Sequence, residues 1–236
     1  KLSDLKQKML NNNFKWAFAV GMENIGEYEE ISYSKMFEIS DGPILFPIAF
    51  FSPENGDFKV RLEKIRKLGY LGIKLHPRIS NFTPNKGTVE IVKIASELGL
   101  IVLLCTYSYS GGLANKLTPE LIMEFLDQLG SSKIILLHAG GVRLLEYMEI
   151  ARAFQNVLLD LSLTICKYSG SSLDQDIRFL FHSFDRRICI GSDFPEFDQV
   201  ALRERFAYFG QGLPSEKLEN IAYSNLIKFC GLEKFV

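Results

Sequence analysis

Lys133–Ser162 reads KIILLHAGGVRLLEYMEIARAFQNVLLDLS. It begins and ends with short apolar runs of strand length, Lys133 to His138 and Val157 to Ser162, and each run finishes on polar residues. Between them Val142 to Phe154 repeats its apolar residues at helical spacing, after the glycine pair Gly140 and Gly141. The order is strand, turn, helix, strand. Strands that are apolar almost throughout are expected to be covered on both faces, which is the situation of a parallel sheet crossed over by helices.

The same cadence runs outward in both directions. Further strands are expected at Trp16–Val20, Ile44–Phe51, Gly72–His76, Leu100–Thr106 and Arg187–Asp193. Helices are expected at Leu2–Leu10, Phe58–Leu68, Pro119–Leu129 and Ser215–Phe229. Thr118 is the cap of the third of these, Pro119 its first residue and Gly130 its stop. About seven strands and eight helices, with no Gly-rich phosphate fingerprint after any strand, favour an α/β fold of the (β/α)8 TIM-barrel type over an open nucleotide-binding sheet. A helix comes before the first strand, and the chain opens on Lys1 and not Met. The expectation is a (β/α)8-type barrel, or such a barrel lacking its first strand in residues 1–236, a strand before Lys1 then completing it. Residues 1–236 carry no linker, repeat or low-complexity stretch, so one domain is expected.

With 236 residues, 47% of them hydrophobic, the chain can build a sizeable core. Its 27 Lys and Arg against 28 Asp and Glu, without a run of like charge, give no reason to expect a nucleic-acid partner. Cys105, Cys166, Cys189 and Cys230 are far apart and form no paired spacing, so a reducing, cytoplasmic setting is expected. No apolar run approaches the roughly 20 residues of a membrane span. A small-molecule substrate is the expected partner, with neither nucleic acid nor membrane, and a homo-oligomer is left open.

In a barrel of this type the chemistry gathers at the C-terminal ends of the strands. Those ends carry Lys74 and His76 in GIKLHP, Cys105 and Thr106 in LLCT, His138 in LLHAGG, Asp160 and Ser162 in LLDLS, and Asp193 in GSDFP. Polar groups on apolar strands cost free energy to bury, and their placement points to a site. Lys74 and His76, two residues apart, share a face and suit substrate binding. Arg143 stands at a helix start, where its charge opposes the dipole unless an anion lies between them, and it is a third substrate-binding candidate. Each has a plainer alternative: His76 as a lip residue before Pro77, Arg143 as a solvated surface side chain. His182, in FLFHSF, is read as structural. The Tyr, Ser and Gly-rich stretches Tyr107–Gly112 and Cys166–Ser172 suit lids over a small polar ligand, or ordinary loops.

GIKLHP, LLHAGG and GSDFP, with SNLIKFCGL near the end, resemble the amidohydrolase-related (amidohydrolase 2 type) metal-dependent hydrolases of TIM-barrel fold over nearly the whole chain. The resemblance implies a divalent metal, one zinc ion being expected, and hydrolysis of a small, anionic carbonyl substrate (amide, lactone or ester) through metal-bound water. Asp193 matches the family's metal-binding, proton-accepting Asp, and His138 matches its histidine that polarises substrate or binds metal. Their alternatives are a structural or capping Asp and a hydrogen-bonded core histidine. The family's His-x-His pair has no counterpart in residues 1–236, which leaves two alternatives: the pair lies before Lys1, or the metal site has decayed. At the family's fifth-strand histidine stands Cys105, a substitute metal ligand or simply a small buried hydrophobe. The alternatives to a hydrolase are a non-oxidative decarboxylase of the same fold and a metal-depleted, non-catalytic binding barrel.

Overall fold

The structure is a computed structural model that describes residues 2–20, 42–53, 57–108 and 117–235. It holds seven strands: β1 (Trp16–Val20), β2 (Ile44–Phe51), β3 (Gly72–Leu75), β4 (Ile101–Cys105), β5 (Ile134–Leu137), β6 (Val157–Asp160) and β7 (Ile188–Cys189). Their order in the sheet is their order in the sequence. With a helix after most strands, this is the arrangement of a (β/α)8 TIM-type barrel with seven strands described. The chain forms two compact units, residues 1–105 with 109–132, and residues 106–108 with 133–236.

In the first unit β1 to β4 pair in parallel, Ile48 opposite Gly72 and Gly72 opposite Ile101. No side chain fits at Gly72, because a Cβ there would lie 2.3 Å from the Ile101 carbonyl oxygen. The helices start where their caps place them. Asp57 accepts from the Lys59 and Val60 amides ahead of Phe58–Lys67, and Asn85 and Thr88 form a reciprocal capping box ahead of Lys86–Glu97. Thr118 accepts from Leu121 to start Pro119–Asp127, with Pro119 in the first turn. Ile48, Phe51, Leu62, Ile65, Ile73 and Val92 are among the fully buried residues of this unit.

In the second unit β5, β6 and β7 pair in parallel, and Leu144–Ala153, Leu173–Ser183 and Gln199–Gly210 are its longer helices. Ile134, Val157, Leu159, Ile177, Phe181 and Phe209 are buried in its core. Arg187 donates to the carbonyls of Ala151, Phe154 and Val157, and Arg205 is paired with Asp174 and donates to the Ile165 carbonyl.

Five strands are shorter than their sequence suggests. The ladders stop before His76, Thr106, His138, Ser162 and Asp193, and at His138 and Asp193 the backbone turns left-handed, where no strand can continue. The last helix is also interrupted: Ser215–Glu219 and Asn225–Cys230 flank a π-helical turn at Asn220–Ser224. Asn220 donates to the Asp185 carboxylate and Asn225 to the carbonyls of Asp185 and Ile188, so side-chain anchors hold this turn. Among the described residues no helix is long and apolar enough to cross a membrane.

Candidate active site

The turn after β5 is the most constrained backbone in the second unit. His138, Ala139, Gly140 and Gly141 all have positive φ, at 66°, 43°, 73° and 63°. Glycine is required at the third position, since a Cβ on Gly140 would fall 2.1 Å from the Tyr147 ring. His138 and Ala139 have no such freedom, and a non-glycine residue held left-handed costs about 1–3 kcal/mol. Two threonines hold the turn. Thr106 Oγ1 donates to the Leu137 carbonyl at 2.7 Å and accepts from the Gly140 amide at 2.9 Å, while Thr164 Oγ1 donates to the His138 carbonyl at 2.6 Å.

This turn aims the His138 ring at the end of β6. Nδ1 lies 2.9 Å from the Ser162 carbonyl oxygen and 3.1 Å from Ser162 Oγ. A carbonyl can only accept, so Nδ1 carries the proton and Nε2 is the basic nitrogen of the neutral ring. Ser162 Oγ in turn donates to the Asp160 carboxylate. His138, Ser162 and Asp160 are all buried, and the Tyr107 ring meets His138 edge-on with centroids 6.3 Å apart.

Burial pushes the Asp160 carboxyl up to about 6, and the negative charge of Asp193 adds to the rise. Hydrogen bonds from the Ser162 side chain and backbone and from the His138 backbone pull the other way. Burial also pushes the neighbouring Cys189 thiol well up, with Asp160 adding to it, which makes that sulfur a poor nucleophile. Gly191 lets the segment after β7 pass close to this pair: a Cβ there would stand 3.1 Å from Ser162 Cβ and 3.6 Å from Asp160 Oδ1. Asp193, two residues on, is partly exposed with φ 59°.

The second unit thus brings together His138, Ser162 and Asp160 and sets the Asp193 charge within reach of Asp160. Arg143 caps Leu144–Ala153 in the same unit without a side-chain cap bond, and is partly exposed. Lys74, His76 and Cys105 belong to the first unit and are buried there. His76 stacks on Phe50 with ring centroids 6.3 Å apart, and its Nδ1 accepts from the Ile79 amide at 3.4 Å. All four cysteines are free thiols. His182 is exposed on its helix, and its carbonyl accepts from Lys217. Of the expected lids, residues 109–112 lie outside the described residues. The other begins inside the helical turn Thr164–Lys167 and continues as a turn fixed by the bond from Ser171 Oγ to the Tyr168 carbonyl, 2.7 Å.

Asp160 and Ser162 stood out in the sequence only as polar strand ends, without a role. Their spacing of two was the available signal, since it puts both on one face beside the strand that carries His138. Thr106 was likewise only a polar strand end and Thr164 gave no signal, and their partners are backbone atoms 31 and 26 residues away.

Among the described residues no three His, Cys, Asp or Glu side chains gather as a metal-ion site. Of the nearest candidates, Asp160 is engaged by Ser162 and His138 Nδ1 is engaged by Ser162. The donor set described does not fit the expected zinc ion.

Solved structures with this fold include amidohydrolase-type barrels, as the sequence resemblance implies. An uncharacterized TIM-barrel protein of Bordetella bronchiseptica matches with a TM-score of 0.78 at 15% identity, over 98% of this chain and 84% of that one. A structure described as a probable 2-pyrone-4,6-dicarboxylic acid hydrolase of Acinetobacter baumannii, with citric acid bound, matches with a TM-score of 0.72 at 14% identity, over 98% and 89%. Amidohydrolase 2 from Bifidobacterium longum subsp. infantis matches with a TM-score of 0.63 at 15% identity, over 98% and 86%. No family model and no curated protein matches the chain.

Proposed function

We propose that the protein is a hydrolase of a small, anionic carbonyl compound, an amide, lactone or ester. The observation that carries this reading is the chain from His138 Nδ1 to the Ser162 carbonyl and hydroxyl, and on to Asp160, on a left-handed turn at a strand end. Strained backbone of this kind concentrates at functional sites. The fold likeness to a structure described as a probable 2-pyrone-4,6-dicarboxylic acid hydrolase, solved with citric acid bound, supports an acidic carbonyl substrate.

The proposed chemistry follows from the tautomer. Nε2 of neutral His138 takes one proton from a water whose oxygen attacks the carbonyl carbon, while Asp193 accepts a hydrogen bond from the O–H that the water keeps. The imidazolium so formed is stabilised by the Ser162 carbonyl at Nδ1, and it donates from Nε2 to the developing oxyanion and then to the leaving group as its bond to carbon breaks. Arg143 is the proposed substrate-binding group of the second unit, and Lys74 and His76 are those proposed for the first. The zinc ion implied by the family resemblance, with Asp193, His138 and Cys105 as ligands, is not supported by the described donors, and no step here runs through it.

The test is an assay of the wild type and of His138→Asn on small carboxylate-bearing lactones, esters and amides, with carbon dioxide release followed in parallel. Hydrolysis by the wild type that is lost in the variant is the expected result. Carbon dioxide as the product would favour the decarboxylase. Absence of any turnover would favour a non-catalytic binding barrel.

A further inference from the structure

Lys74 is the third residue of β3, a strand buried at all four positions, and it is itself only 7% exposed. A lysine is almost never this deep without a partner, because its ammonium loses the hydration that an opposite charge or several acceptors must replace. The register sets Phe50 of β2 on one side and Leu103 of β4 on the other, so its lateral neighbours are apolar. Among the described residues Lys74 has no hydrogen bond and no ion pair.

The other deeply set cations are different. Arg205 has Asp174 and the Ile165 carbonyl, and Arg187 has three carbonyls and Gln155. Those two are structural, whereas Lys74 holds a charge that nothing in the described fold answers. His76 lies just past the end of β3, its ring stacked on Phe50, the residue that stands opposite Lys74. Its Nδ1 accepts from the Ile79 amide, so the neutral ring carries its proton on Nε2.

We infer that Lys74, with His76 beside it, is a carboxylate-binding subsite of the first unit. One carboxylate balances one ammonium. A phosphate dianion would leave charge uncompensated between Phe50 and Leu103. The inference deepens the hydrolase reading, and rests on it only for the claim that the bound carboxylate belongs to a substrate.

The experiment is a calorimetric titration of the intact protein with succinate, with succinamide as the neutral control and inorganic phosphate as the competing anion. It is run on the wild type and on Lys74→Met, which keeps chain length in apolar surroundings. Succinate should bind the wild type and weaken at least about tenfold in the variant, the loss expected for one charge-assisted hydrogen bond. Succinamide should not bind, and the melting temperature of the variant without ligand should be at or above that of the wild type. Lys74→Gln repeats the measurement should Met disturb the strand. Wild-type affinity in both variants, phosphate binding as tight as succinate, or no succinate binding by the wild type would each overturn the subsite. Lys74-dependent succinate binding in a protein that hydrolyses nothing would keep the subsite and remove the hydrolase reading alone.

Discussion

The two units handle the left-handed backbone differently. Among the described residues of the first, the non-glycine residues with positive φ are Asn13 and Asn81, a type that adopts this region at little cost. In the second they are His138, Ala139, Leu163 and Asp193, and only the aspartate shares that tolerance. The first unit therefore turns its corners with residues suited to turning, while the second holds ill-suited residues in place through Thr106, Thr164 and glycines that admit no side chain. Strain of this kind persists where the surroundings over-determine it, and here it fixes the direction of one imidazole ring.

The largest expected effects test whether that strain serves chemistry. Asp193→Asn keeps size and one acceptor oxygen but removes the charge, and His138→Asn removes the basic nitrogen. The His138 change should lower turnover at least about a hundredfold, within the usual 10² to 10⁴ for a lost general base, and the Asp193 change should lower it as well through the lost charge. Turnover within a few-fold of wild type would take the residue out of the mechanism. Next comes Gly140→Ala, whose Cβ would overlap the Tyr147 ring. It should cost about 3 kcal/mol or more in chemical denaturation, from overpacking added to backbone strain. Gly99→Ala in the first unit, at φ 69° with nothing within 4 Å, should cost only about 1–2 kcal/mol. Equal losses at the two glycines would erase the contrast.

Much of the fold was legible because it is written in local pattern. Apolar runs, Thr118 with Pro119, and the stop at Gly130 mark elements that depend on neighbours in sequence. The site was legible in part. His138 and Asp193 could be picked out as polar groups closing apolar strands, but the bonds that orient His138 come from Ser162, 24 residues away. Nor does the sequence state that φ at His138 is positive, since Gly140 and Gly141 announce a turn without saying where it begins. The expected zinc rested on family resemblance, and the described side chains do not gather a donor set for it.

A smaller effect separates Asp160 from the surface carboxylates. Its folded value near 6 lies above the ordinary 3.8, so in that window the folded state holds more protons than the unfolded one. The stability Asp160 contributes is fully present below about pH 3.8 and is lost as the pH rises through about 6. Asp160→Asn removes this dependence. Its stability relative to wild type should improve by about 2–3 kcal/mol from pH 4 to pH 7, whatever its absolute value. Parallel stability curves for the two proteins would mean that Asp160 titrates normally.

The smallest prediction returns to the first unit, where polar side chains near helix starts serve stability. Asn85 accepts from the Thr88 amide at 3.1 Å, and Thr88 Oγ1 accepts from the Asn85 amide at 3.3 Å, so the two satisfy otherwise unpaired donors of one helix end. Asn85→Ala removes one arm of that box and should cost about 1 kcal/mol, the usual worth of an N-cap. Turnover should stay at the wild-type level, since the helix keeps its packing through Ile91, Val92 and Ala95. Thr164→Val in the second unit also deletes one hydroxyl, but that hydroxyl holds the carbonyl of His138. It should cost a similar amount in stability, about 1 kcal/mol for a net hydrogen bond, and lower turnover as well. Measuring melting and turnover on both variants separates the cases: a loss of turnover in Asn85→Ala, or none in Thr164→Val, would show that the threonine on the strained turn does no more than the cap on the plain helix.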